Sequence, residues 1–216
     1  MRRLQSDVVA AATRLVVFRA VEIAHLIDAR PRAVTDALSR LERTHLVTRI
    51  VRGVWADTRH PRFSPYIVVP YLLTVEKGGV TCYVSFASAL SLHGMISQIP
   101  GAIHVAVRDQ HRPVATPVGE YRFHRIDRTL FDGYTAGDPY GRFELATPAK
   151  ALFDTLYLAT RRGRRFAHLP EVELPRSVTD VAMQRWVARI SSASLRTAVN
   201  TRWQALRAAA RDRVDE

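Results

Sequence analysis

An α+β fold in two parts is predicted by three features of this 216-residue sequence. Between residues 20 and 56, two short stretches of helical periodicity are separated by a brief break and followed by strand-forming runs around a glycine. From residue 81 to 146, runs rich in aromatic and β-branched residues surround a helical stretch, and from Pro148 onward the periodicity is helical. The first pattern is that of a winged helix-turn-helix, and the rest is that of a mixed α+β domain with C-terminal helices. A boundary is expected between residues 62 and 63, because DTRHPRFSP (57–65) gathers two prolines among polar residues.

Leu4 to Val17 reads as a first helix completing the core of the N-terminal part. Val21, Ile23, Ala24, Leu26 and Ile27 form the next apolar segment, and the break Asp28 to Arg30 ends it. Pro31 suits a first helical position, where its missing N–H costs nothing. In the helix that follows, Val34, Ala37, Leu38 and Leu41 share one face, leaving Arg32, Asp36, Ser39, Arg40 and Arg43 opposite. HLVTRIVRGVWA then supplies a hairpin, with Leu46, Val47, Ile50, Val51, Val54 and Trp55 as strand formers and Gly53 as the turn residue.

Charge gives this arrangement a direction. The net charge is +12 with a pI near 10.9, which points to a polyanionic partner. Residues 1–62 hold twelve arginines against six acids, residues 63–160 are neutral, and 161–216 again hold twelve arginines against six acids. Lysine occurs only at 77 and 150, and a GC-rich coding sequence also supplies arginine, so the bias alone decides little. Its placement says more. Recognition helices present their N-terminal residues to the groove of double-stranded DNA, so Arg32, Thr35 and Asp36 are the candidates for base edges. Arg40, Arg43, Arg49 and Arg52 are candidates for phosphates, and Arg30 and Ser39 complete the face. A secondary basic surface is expected from Arg161, Arg162, Arg164 and Arg165, together with Arg196, Arg207 and Arg211 on one face of the last helix.

In the second part, TCYVSF, AIHVAVRD, GEYRFHRI, TLFDGY and RFELA read as strands, and Ser85 as the cap of the helix ASALSLHG, which Gly94 ends. Thr147-Pro148 opens PAKALFDTLYLA, whose buried stripe is Ala151, Leu152, Thr155, Leu156 and Ala159. Two further helices carry stripes through Val178, Ala182, Trp186 and Ile190, and through Leu195, Val199, Trp203, Leu206 and Ala210, so both tryptophans read as core.

Several classes are disfavoured. The single Cys82 allows no disulfide within the chain and no cysteine-based zinc site. The N-terminal apolar run is interrupted by Asp7, Thr13 and Arg14, which leaves no signal-peptide core, and no apolar run reaches membrane-spanning length. A soluble cytoplasmic protein with no membrane partner is expected. There is no HExxH, P-loop, GxGxxG or GxSxG motif. Asp132, Glu144 and Lys150 come nearest to a nuclease set, but Glu144 and Lys150 are six apart with Pro148 between them, and Lys150 reads more simply as a surface or cap-proximal charge. No catalytic residue, metal site or cofactor is expected.

The winged helix ending in RGVWA, followed by YVSFASALSLHG and then ELATPAKALFDTLY, resembles the AbiEi family of antitoxins and transcriptional regulators of bacterial type IV toxin-antitoxin systems. The resemblance covers most of residues 17–160, and 165–216 carry no assignable motif. It implies a repressor that binds inverted repeats in its own promoter through the winged helix. It also implies that the remaining domain counteracts a cognate nucleotidyltransferase-like toxin. Arg30 departs from the Ser or Thr more usual at the cap of such a helix, which bears on how firmly the helix start is fixed. A ligand-responsive winged-helix repressor is the alternative reading, and a DNA-processing nuclease a more distant one.

Overall fold

The computed structural model describes residues 2–73, 81–138, 142–162 and 171–212. The chain is α+β and divides into two compact units, Met1–Val75 with Val114–Glu120, and Glu76–Pro113 with Tyr121–Glu216. The boundary expected at 62 lies inside the first unit, because the chain beyond it stays packed there. A 3-10 turn over Pro65–Tyr71 buries Ile67, Val68 and Val69, and the Arg19 guanidinium lies 5.0 Å over the Tyr71 ring and donates to its carbonyl.

The first unit runs α1 (Arg2–Leu15), β1 (Val17–Arg19), α2 (Ala20–Leu26), α3 (Pro31–Arg43), β2 (Thr48–Val51) and β3 (Val54–Ala56). The three strands form an antiparallel sheet in the order β1-β3-β2. The first helix stops two residues short of Val17 because Val16 takes φ 69°, a left-handed conformation that a helix cannot propagate, and Val17 pairs instead with Ala56. In α2 only part of the expected apolar stripe is used. Ile23 and Ala24 are buried and Ala20 and Ile27 pack beside them at helical spacing, whereas Val21 and Leu26 fall on the flanks and are each 46% exposed. The start of α2 is fixed by Glu22, whose carboxylate accepts the Arg19 N–H at 2.6 Å. Along α3 the stripe is fully used: Val34, Ala37, Leu38 and Leu41 are all buried against α1 and α2.

The second unit contains β4 (Cys82–Val84), α4 (Phe86–Leu92), β5 (Ile103–Val107), most of β7 (Gly119–Arg125), β8 (Tyr134–Ala136), β9 (Glu144–Ala146), α5 (Pro148–Arg162), α6 (Asp180–Val187) and α7 (Ala193–Asp212). A short strand not expected from the sequence, β6 (Val114–Thr116), groups with the first unit. The sheet is mixed, with β7, β5, β4, β9 and β8 adjacent in that order. Strand β4 is antiparallel to β5 and parallel to β9, and β5 is parallel to β7.

Two local readings are corrected. TLFDGY is not one strand: the Asp127 carboxylate accepts the Thr129 N–H at 3.0 Å, which winds Arg128–Leu130 into a 3-10 turn, and Gly133 at φ +79° delays extended backbone until Tyr134. Ser85 precedes α4 but does not cap it, because its hydroxyl donates to the distant Asp154 at 2.8 Å. Helix α5 is buried all round from Ala149 to Ala159, the pattern of a central helix, and Trp186 and Trp203 are core residues as expected.

Gly133 combines a crowded site with a strained backbone. A Cβ there would lie 2.5 Å from the Trp186 ring, and the positive φ disfavours any L side chain. Gly133→Ala is therefore expected to lower unfolding free energy by about 2 to 4 kcal/mol. Urea denaturation checks this, and a loss below about 0.5 kcal/mol, the range of an ordinary surface change, would show that Trp186 yields without cost.

Candidate nucleic-acid interface

Burying one stripe of α3 fixes what the opposite stripe shows to solvent. Arg32, Asp36, Ser39 and Arg43 are exposed, and Thr35 and Arg40 are half-buried. The Thr35 hydroxyl turns back to the Pro31 carbonyl at 2.9 Å and that of Ser39 to the Thr35 carbonyl at 3.0 Å, as short polar side chains do within a helix. The face is thus left to the charged residues. Arg30 is exposed at the extended residue before Pro31 and makes no side-chain cap, so Pro31 at the first turn and the backbone bond from the Val34 N–H to the Arg30 carbonyl mark the helix start. Past α3, β2 and β3 turn at Arg52 and Gly53, whose φ of +84° permits the tight reversal. Arg49 lies 5.7 Å over the Trp55 ring, which holds its charge on the outer side of the sheet, and Arg52 projects at the hairpin tip.

Arg32, Arg40, Arg43 and Arg52 make no ion pair with any described residue. The structure thus brings six of the sequence-selected residues onto α3 and two onto the hairpin beside it, with Arg30 at the entry.

The second basic group is held differently. Arg161 donates to the Tyr157 hydroxyl at 3.4 Å and covers its ring, Arg196 donates to the Ile190 carbonyl at 3.1 Å, and Arg207 is ion-paired with Asp180. Arg164, Arg165 and the side chains of Arg162 and Arg211 lie outside the described residues.

Of the three residues considered as a nuclease set, Asp132 and Lys150 are each ion-paired with another residue. Asp132 pairs with Arg189 at 2.8 Å, and no group of three or more His, Cys, Asp or Glu suited to a metal occurs among the described residues. Lys150, read from the sequence as a surface or cap-proximal charge, is fully buried. The cause is Asp154, one helical turn on, which accepts from its ammonium group and from Tyr83 at 3.0 Å and Ser85 at 2.8 Å. The rings of Tyr83, Phe153 and Trp186 surround the ammonium at 5.0 to 5.6 Å. Burial holds Lys150 below the ordinary lysine range and Asp154 above the carboxylate range, and the pairing of the two charges opposes both shifts.

His93 closes α4 with its ring bonded to the Ala146 carbonyl at 2.7 Å, and Cys82 is buried, its thiol pushed up to about 11 chiefly by desolvation. The signal for the Lys150 network was present in PAKALFDTLY. A lysine and an aspartate four apart, with Ala149, Ala151, Leu152 and Phe153 between or beside them, belong to a helix with no polar face to put them on.

No family model matches this chain. No curated protein matches it either. Among solved structures the chain is similar to the RV2827C protein from Mycobacterium tuberculosis, with a TM-score of 0.56 at 18% identity over 94% of this chain and 80% of that one. The likeness is one of fold.

Removing one member of the buried pair strands the other. Asp154→Ala is expected to cost about 3 to 5 kcal/mol of stability, while Lys150→Met combined with Asp154→Leu costs less, because it removes both charges and strands only the Tyr83 and Ser85 hydroxyls. Chemical denaturation of the three proteins checks this. A double variant as unstable as the single one would show that the pair is favourable in itself.

Proposed function

We propose that this chain is a DNA-binding antitoxin that represses its own promoter and counteracts a nucleotidyltransferase-like toxin. One observation carries the DNA part: the outer face of α3 and the adjoining hairpin tip present Arg32, Arg40, Arg43 and Arg52, which make no ion pair with any described residue. The succession of α1, α2 and α3 followed by the β2–β3 hairpin supports a winged helix-turn-helix, in which α3 occupies the major groove and the hairpin follows the backbone. Arg32, Thr35 and Asp36, on the first turns of α3, then meet base edges of double-stranded DNA. Arg40, Arg43, Arg49 and Arg52 meet phosphates. The toxin-directed part rests on the AbiEi resemblance of the segments that form β4–α4 and β9–α5.

Phosphate and base contacts separate in a salt titration. Arg40→Ala with Arg52→Ala is expected to weaken binding to all sequences and to reduce the slope of log affinity against log salt by roughly two contacts. Arg32→Ala is expected to relax sequence preference, at a cost of about 1 to 3 kcal/mol on the operator. An unchanged salt slope in the double variant would remove these arginines from the phosphate contacts.

The two activities are expected to separate genetically. Arg32→Ala with Arg40→Ala should abolish repression yet still rescue growth when the toxin is expressed, because both side chains lie on the solvent face of α3 and outside the second unit. Growth assays paired with circular dichroism decide it. A folded variant that fails to rescue would place both activities on the α3 surface.

A further inference from the structure

Helix α1 has a second face that the fold of the first unit does not use. Val8, Ala11 and Ala12 are buried, and Leu4 and Leu15 pack beside them. On the solvent side Arg3, Asp7, Ala10 and Arg14 follow at spacings of four, three and four, so they lie in one line along the helix, and all four are exposed. Asp7 and Arg14 border a shallow groove of about 390 Å³ whose other walls are Ala10, Ala11 and, from α2, Leu26 and Ile27. Neither charged side chain makes an ion pair or hydrogen bond with a described residue. They are two turns apart, roughly 10.5 Å along the axis, too far to reach each other. Leu26, 46% exposed, adds apolar surface to the same region.

We infer that this face binds a second copy of the chain, with the two α1 helices antiparallel about a two-fold axis between residues 10 and 11. Such an axis sets Asp7 against Arg14 of the second copy and repeats the contact by symmetry, as an isologous interface requires. Ala10 falls at the crossing, where a methyl group lets the two helices approach closely. Leu26 closes over the flank. The sign pattern favours this occupant over a nucleic acid, since Asp7 in the middle of the line repels phosphate. An interface built on one helix and the edge of another is small, so association in the micromolar range is expected. The biological use rests on the DNA-binding reading: a two-fold pair carries two copies of α3 to the half-sites of an inverted repeat. The association itself is measured without DNA, so its failure is distinct from a failure of that reading.

Charge reversal of the full-length chain, followed by sedimentation equilibrium, tests the pairing. Asp7→Arg sets like charges against each other at both symmetric contacts, and Arg14→Asp does the same with opposite sign. Each variant alone is expected to dimerise at least about tenfold more weakly than the natural chain. Mixed in equal amounts, the two variants are complementary at both contacts, and the mixture is expected to recover dimer within a few-fold of the natural affinity. Circular dichroism on each variant confirms that the helix is retained. A natural chain that stays monomeric at high micromolar concentration overturns the proposal. So do single variants that dimerise as the natural chain does, and so does a mixture that stays monomeric.

Discussion

The second unit is organised around a charged pair that water does not reach. Lys150 and Asp154 lie on the same face of α5 and bond each other beside Phe153, and the remaining groups that hold them come from other elements: Tyr83 from β4, Ser85 from the entry to α4, and the Trp186 ring from α6. An isolated charge at this depth would cost several kcal/mol, so the network is stable only when all of these parts are in place at once. This makes it a device of specificity more than of net stability. It also explains why Ser85 gives up its cap: a hydrogen bond to a buried carboxylate outweighs one to a backbone N–H that Phe86, in a left-handed conformation, already displaces.

The first unit solves the opposite problem. Its core is apolar, with Val34, Ala37, Leu38 and Leu41 of α3 set against Val8, Ala11, Ala12, Ile23 and Ala24, and with Phe18 and Trp55 added from the sheet. No polar or charged residue is buried in this unit among the described residues, so the polar side chains of α3 serve no core. A rigid apolar stripe orients the helix, and the opposite stripe is open to any partner without disturbing the core.

This difference sets how much the sequence disclosed. The α3 face was legible because a single period determines both what is buried and what is shown, and local spacing carries all the information. The hairpin was legible from Gly53 between two β-branched runs. What sequence reading missed depends on partners far along the chain. Ser85 answers to Asp154, 69 positions away, and β1 forms only because Val17 and Phe18 find Ala56 and Trp55 across the sheet. Val17–Arg19 taken alone continues a helical pattern, and the left-handed turn at Val16 has no local cue in a β-branched residue. Lys150 was misplaced for a related reason: a lysine near a helix start has a default of solvent exposure, and only the apolar character of every neighbouring face argues against it.

The basic charge at the two ends of the sequence is therefore not equally available. A polyanion gains from a protein cation to the extent that binding releases counterions, and a guanidinium already neutralised by a carboxylate of its own chain contributes little to that release. Arg207 is met by Asp180 and Arg189 by Asp132, and Arg161 and Arg196 donate to groups of their own unit. On α3 and the hairpin tip, Arg32, Arg40, Arg43 and Arg52 have no such partner among the described residues. Equal counts of arginine at the two ends thus conceal unequal roles. On α3 and the hairpin tip the cations are presented outward by a core that does not use them, whereas Arg19 is ion-paired with Glu22 and packs on Tyr71. In the described part of the C-terminal end two of them tie elements to one another, α6 being joined to α7 through Asp180 and Arg207 and to the turn before β8 through Arg189 and Asp132.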